Sequence, residues 1–157
     1  NETLSRWINE AGLTDCVHRL GLRSDVARVT AALDAATCCS VSESFGLVLG
    51  EAMACGVPCV TTDLAGPVAL VGELGRIIPV GDAAALADAW QSDLNLAPSA
   101  RLEWGDRARR RIQDQFSLQS MVQVYEHLYR QLSQERHESR NAESAALYHP
   151  SGARRSD

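Results

Sequence analysis

The sequence contains no lysine; all fifteen of its basic side chains are arginines. A reaction that needs a lysine amine cannot be completed by these 157 residues alone. There is no apolar run near the ~18–20 residues of a membrane-spanning helix, and no secretory signal stands at the start. The first residue is Asn rather than Met, so the chain reads as a fragment of a longer protein. An excess of basic charge is missing too. The formal net charge is −5 and the pI about 5.3, which excludes a general nucleic-acid or membrane-surface footprint. Zinc-finger spacing is absent: Cys55 and Cys59 have no second pair, and the four histidines are scattered. The other cysteines, Cys16, Cys38 and Cys39, also lie in apolar, small-residue stretches. All five read as buried free thiols of a reducing compartment rather than a secreted disulfide framework.

What is present is an alternation of short apolar runs with amphipathic segments. Residues 2–12 read as a helix, with Leu4, Trp7, Ile8 and Ala11 at helical spacing and Gly12 as its stop. The run 16–21 reads as a strand. Ser24 or Asp25 can cap a helix over about 26–33. The small apolar run 35–40 has the character of a buried strand. A helix over 44–54 stops at Gly56-Val57-Pro58. Strand 58–63 follows, then a loop or short helix over 65–72 and a short strand within 75–82. Asp82 caps a helix running through Trp90. Beyond a polar joint at Ala97-Pro98-Ser99 come a helix over about 100–115 and a last helix over 117–134. The last one carries an apolar stripe of Met121, Val124, Tyr125, Leu128 and Leu132, expected to pack into a core. Residues 1–134 form the domain of this reading, and 135–157 read as a disordered tail. Such alternation predicts an α/β fold: a Rossmann-like parallel sheet with helices on both faces. Ligands of these sheets bind beyond the carboxyl ends of the strands.

The turn from strand 35–40 into helix 44–54 lies at such an end. Its first N–H groups, about Phe45 to Val48, lack intrahelical partners. With the helix dipole they make a site for phosphate or pyrophosphate, and Gly46 lets a ligand approach the backbone. Glu43 and Glu51 flank this turn, eight positions apart. Carboxylates are poor phosphate ligands but strong acceptors for hydroxyls. A nucleotide sugar, with a diphosphate between ribose and hexose, suits the pair. The spacing alone leaves another reading open, in which Glu43 favours the helix N-terminus and Glu51 is solvated.

The stretch SESFGLVLGEAMACGVPCVTTD (42–63) resembles the Glu-x7-Glu segment of glycosyltransferase family 4, the glycosyl transferases group 1. VHRLGLRSDV, ALDAATCCSVSE, GRIIPVGDAAALADAW and FSLQSMVQVYEHLY are similar to the family's neighbouring segments, so the likeness covers about residues 4–133. The resemblance implies the C-terminal, donor-binding domain of a GT-B fold with its first two strands missing from this chain. It implies a retaining, hexosyltransferase-like enzyme that moves a sugar from a nucleotide-diphosphate sugar to a glycan or lipid-linked acceptor. Glu43 would contact donor-sugar hydroxyls and help stabilise the charge at the anomeric carbon. Glu51 would hold the ribose. The backbone amides of Phe45, Gly46 and Leu47 would bind the leaving diphosphate, with Ser44 and Val48 beside them, while Arg19, Leu20 and Gly21 would lie by the base. No metal or other cofactor is implied, because helix dipole and basic side chains take up the charge.

Two departures from the family pattern stand out. Ala69 occupies the place of the Glu in a Gly-Gly-x-x-Glu stretch, and Cys39 stands where Pro is common. The acceptor-binding N-terminal half of the enzyme is also missing. The absent strands belong between 16–20 and 35–40, leaving a gap of about 9–10 Å. The isolated chain is therefore expected to be inactive and poorly stable. Asp25 and Asp34 read as a cap and a loop anchor, and His18 as a packing or base-edge residue. Arg107, Arg109, Arg110 and Arg111 read as a solvated face, with contact to an anionic lipid acceptor as the alternative. The expected location is cytoplasmic, with contact at the inner face of the membrane as an extension of the same reading; nucleic acid is not an expected partner. The rival functions are a non-catalytic nucleotide- or phosphate-binding Rossmann-like module and a GT-B nucleotide-sugar epimerase.

Overall fold

The computed structural model describes residues 2–147, with side chains through residue 144. Three short strands form a parallel sheet in the order β1-β2-β3: β1 (Ala36–Cys38), β2 (Cys59–Thr62) and β3 (Gly75–Ile78). Ala36 pairs with Cys59, and Cys59 with Gly75. Between β1 and β2 runs α3 (Leu47–Ala54). Between β2 and β3 come α4 (Ala65–Val71) and a 3-10 turn (Gly72–Leu74). Helix α5 (Ala83–Leu94) follows β3, then α6 (Pro98–Phe116) and α7 (Leu118–Leu147); α1 (Glu2–Glu10) and α2 (Val26–Thr30) precede the sheet.

Side-chain alternation along β2 divides the core between two faces. Cys59 packs with Leu49, Met53, Leu70, Val71 and Ala108, contributed by α3, α4 and α6. Val60 packs with Ile78 and Ala89, the latter from α5. All four residues of β2 are buried, as a central parallel strand requires. Helices therefore cover both faces, as the alternation predicts. Asp82 caps α5 by accepting from the Ala85 amide at 2.9 Å, and Pro98 stands at the first position of α6.

Helix α6 ties the helices to one another through arginines. Arg109 donates to the Cys55 carbonyl at the end of α3 (3.0 Å). Arg111 donates to the Ala69 and Leu70 carbonyls near the end of α4 (2.8 and 2.9 Å). Arg101 donates to the Asp93 carbonyl in the last turn of α5 (3.2 Å) and to the Asp34 carboxylate (2.6 Å). Each guanidinium thus meets the negative end of a helix dipole and satisfies carbonyls that the helix leaves over. In the run 107–111, Arg107, Arg109 and Arg110 are exposed, as a solvated face requires, with Arg107 paired to Glu73 at 2.9 Å and Arg110 donating to the Asp106 carbonyl; Arg111 is half-buried. Asp34 is anchored as expected. Asp25, at the N-cap of α2, makes no side-chain cap bond; two nitrogens of Arg23 hold its carboxylate instead, and that guanidinium lowers its pKa below the ordinary value.

Four other expectations are corrected. Residues 16–21 form no strand and are exposed; a strand needs a hydrogen-bonding neighbour, and β1 is an edge strand of the described sheet. The α7 stripe is not core: Met121, Val124, Tyr125, Leu128 and Leu132 are all exposed, and among the described residues α7 packs chiefly against α6. Residues 135–147 continue α7 rather than forming a tail, carried by helix-favouring Glu, Arg and Ala in place of apolar spacing; residues 148–157 lie outside the described residues. Among the cysteines, only Cys38 and Cys59 are buried, whereas Cys16 and Cys39 are exposed. No helix among the described residues is long and apolar enough to cross a membrane.

Candidate functional site

The carboxyl end of β1 leads into α3 through a turn that the neighbouring strand holds from beneath. Thr61 and Thr62 of β2 are fully buried. Thr61 Oγ1 donates to the Cys38 carbonyl at 3.3 Å, and Thr62 Oγ1 donates to the Ser40 carbonyl at 2.7 Å. Buried hydroxyls seek such partners, and here the partner is the start of the turn. On the far side, Gly66 in the first turn of α4 lies against the turn's backbone. A Cβ at residue 66 would stand 1.8 Å from the Ser44 carbonyl oxygen and 3.0 Å from the Phe45 Cα. Only glycine permits that approach. Neither these threonines nor Gly66 was singled out as a site residue from sequence; the Ala-Gly-Pro opening of α4 is the one local signal that pointed there.

Gly46 is the N-cap of α3, with φ 84° and ψ 51°, a left-handed conformation that strains any other residue. It turns three successive amides to one side. The N–H groups of Ser44, Phe45 and Gly46 donate to Oε1 of Glu43 at 3.0, 3.3 and 3.3 Å. Three amides about one anionic oxygen form an anion nest, and the positive end of the α3 dipole backs it. The Glu43 carboxylate fills that nest. The arrangement is the one that the helix-N-terminus alternative describes for Glu43.

Leu47 and Val48 are the first two residues of α3, and both are exposed. Glu51 lies one turn further along the helix, also exposed. It lines a groove of about 350 Å³ with Val26 and Thr30 of α2, Thr37 of β1 and Trp90 of α5. Trp90 is fixed there by its Nε1, which donates to Thr37 Oγ1 at 2.8 Å. A cavity of about 200 Å³ opens at the carboxyl end of the sheet, lined by Cys39, Thr62, Ile78, Pro79 and Asp82. Residues 43–48 are thus brought together in one turn, with Glu51 further along the same helix. Arg19, Leu20 and Gly21 are not joined to them: all three are exposed, and Arg19 donates to Ser5 of α1. Ala69 is exposed on α4, and its carbonyl serves Arg111.

Beneath the site the thiol of Cys59 is inert. Burial, and secondarily the Asp93 carboxylate, push it up to about 12. Asp93 itself is 3% exposed and paired with Arg76.

Residues 1–95 match the family model described as glycosyl transferases group 1. N-acetyl-alpha-D-glucosaminyl L-malate synthase of Bacillus anthracis is 36% identical over 131 residues, covering 81% of this chain and 34% of that protein. Sucrose-phosphate synthase of Thermosynechococcus elongatus superposes with a TM-score of 0.76 at 31% identity, covering 85% of this chain and 34% of the other. HepE of Anabaena, solved in complex with UDP, superposes with a TM-score of 0.73 at 26% identity over 85% of this chain and 36% of its own. The chain spans about a third of the length of each of these relatives. Its sheet, the turn into α3 and the match over more than half of its residues lead to one assignment: the chain belongs to the family of glycosyl transferases, group 1.

Proposed function

We propose that this chain is the donor-binding part of a retaining glycosyltransferase, one that transfers a hexose from a nucleotide-diphosphate sugar to a glycan or lipid-linked acceptor. The observation that carries the reading is the nest of Ser44, Phe45 and Gly46 amides converging on one anionic oxygen at 3.0–3.3 Å. A phosphate oxygen of a diphosphate presents the same charge to the same donors. The UDP in the HepE structure is a ligand of that class.

Glu43 and a diphosphate cannot share the nest, because two anions at hydrogen-bond distance repel. Donor binding therefore displaces the Glu43 carboxylate from the amides. Freed at the edge of the turn, it accepts hydroxyls of the donor sugar and faces the positive charge that develops at the anomeric carbon. Glu51 accepts the ribose hydroxyls from the groove along α3. The amide nest, the α3 dipole and basic side chains take the charge of the leaving diphosphate, with no metal in the reaction. The acceptor and the remaining donor contacts come from the polypeptide that the longer relatives carry in addition, which also covers the exposed stripe of α7. On this reading the 157 residues alone are inactive.

The test is titration of UDP- and GDP-sugars against the full-length protein, with Glu43→Gln and Glu51→Gln beside the wild type. Binding of one nucleotide series is expected. Turnover is lost but binding kept for Glu43→Gln, whereas binding itself weakens for Glu51→Gln. Absence of binding to any sugar nucleotide would defeat the proposal, and EDTA-sensitive transfer would defeat its metal-free part.

A further inference from the structure

We infer that Phe116, the last residue of α6, is a positioning residue for the nest: it holds Phe45, and through it the amides of residues 44–46, from outside the site. The inference rests on the donor reading above and adds a residue to it. Phe45 sits in the middle of the turn, partly exposed, between two of the three converging amides. Its ring meets that of Phe116 edge to face, with centroids 5.9 Å apart and planes inclined at 62°. This is the geometry the aromatic quadrupole favours, and it contributes beyond the burial of area.

Phe116 is itself held on two sides. The Arg111 guanidinium lies 5.6 Å from its ring centroid. That guanidinium is fixed in turn by the Ala69 and Leu70 carbonyls. After Phe116 the chain leaves the helix at Ser117, which has extended backbone angles of −70° and 155°. Ser117 Oγ accepts from the Ser120 amide at 3.1 Å, and Ser120 Oγ donates to the Asp114 carbonyl at 2.7 Å. The junction of α6 and α7 is thereby locked, and the Phe116 ring is presented to Phe45 from a fixed point.

Two supports of the turn lead back to one side chain. Helix α4 presses on the Ser44 carbonyl through Gly66, and α6 braces Phe45 through Phe116. Arg111 binds the carboxyl end of α4 and the face of Phe116 together. Leucine at 116 would keep apolar bulk but lose both the edge-to-face contact and the cation–π contact.

The test uses the full-length protein, with Kd for UDP, GDP, uridine and guanosine measured alongside melting temperature. For whichever diphosphate the wild type binds, Phe116→Leu is expected to weaken affinity about 3- to 10-fold, the size of one aromatic pair. The matching nucleoside, which does not reach the nest, keeps its affinity. Phe116→Tyr, which retains the ring, stays within about twofold of wild type. Phe45→Leu should weaken the diphosphate similarly, and the double variant should be no worse than either single one. Equal losses for nucleoside and diphosphate, additive losses in the double variant, or an unchanged Kd in folded Phe116→Leu would each overturn the inference. If Phe116→Leu does not fold, Phe45→Leu carries the same comparison from the partly exposed side of the pair. Wild-type protein that binds neither diphosphate would overturn the donor reading, and the inference with it.

Discussion

Replacing Gly66 with alanine sets the packing of α4 against the geometry of the nest. The added Cβ would lie 1.8 Å from the Ser44 carbonyl oxygen and 2.5 Å from its carbon. Both are backbone atoms, so no rotamer change relieves the clash. An ordinary carbon–oxygen contact of ~3.3 Å requires the turn to retreat by roughly 1.5 Å. Overpacking of this kind costs about 1–3 kcal/mol; at roughly 3 °C per kcal/mol for a domain of this size, the midpoint falls by on the order of 5 °C. The retreat also pulls the Ser44, Phe45 and Gly46 amides apart. Loss of one charge-assisted hydrogen bond costs about 1.5–3 kcal/mol, so diphosphate affinity falls about tenfold or more. Gly50→Ala is the control: its Cβ meets only Leu70, at 3.7 and 3.8 Å, and alanine favours the helix by up to ~1 kcal/mol. Differential scanning calorimetry and isothermal titration of a nucleoside diphosphate read both effects. A Gly66→Ala protein with wild-type midpoint and wild-type affinity would refute the close approach on which the site's geometry depends.

Other consequences follow from individual side chains. Glu43→Gln removes the anion that competes for the nest, so nucleoside diphosphate binds at least as tightly as to wild type while transfer by the full-length enzyme falls ~100-fold; a parallel fall in binding would count against the displacement of Glu43. Arg76→Met leaves the buried Asp93 carboxylate unpaired and should lower unfolding free energy by about 3 kcal/mol; a loss within error in urea titration would mean the pair is not formed. Burial raises the folded-state pKa of Cys59 above the ordinary thiol value to about 12, so its contribution is full below the ordinary value and stability is lost as pH rises through about 12. Native-state labelling should accordingly modify Cys16 and Cys39 well before Cys59, and early labelling of Cys59 would contradict its burial. The folded-state pKa of Asp25 is depressed by Arg23, so its contribution is present above the ordinary carboxylate value and fades as pH falls through the lowered one; Arg23→Ala should return the Asp25 midpoint, followed by NMR, to the ordinary range.

How far the sequence could be read depended on where each residue finds its partner. The Asp82 cap, the Gly56-Val57-Pro58 stop and the alternation of strands with helices are local, and the structure repeats them. Of the arginines of α6, Arg109 and Arg111 find carbonyl acceptors more than 40 residues earlier in the chain, which no charge run reveals. Residues 16–21 have strand composition, but a strand exists only with a neighbour to bond. The α7 stripe has helical spacing, but spacing does not say whether anything covers the stripe. At the site, Glu43, Gly46 and the first amides of α3 were visible as a helix start after a buried strand. That Glu43 serves the helix N-terminus was one of two readings the spacing left open; what decides between them, the Gly46 backbone angles and the close approach of Gly66 from α4, is not local.

The most direct measurement is a crystal structure of the full-length protein with its sugar nucleotide bound. The expected result is a diphosphate oxygen within hydrogen-bond distance of the Ser44, Phe45 and Gly46 amides, with the Glu43 carboxylate moved out to the hexose hydroxyls and Glu51 on the ribose. A ligand bound elsewhere, with Glu43 still seated on those three amides, would contradict it.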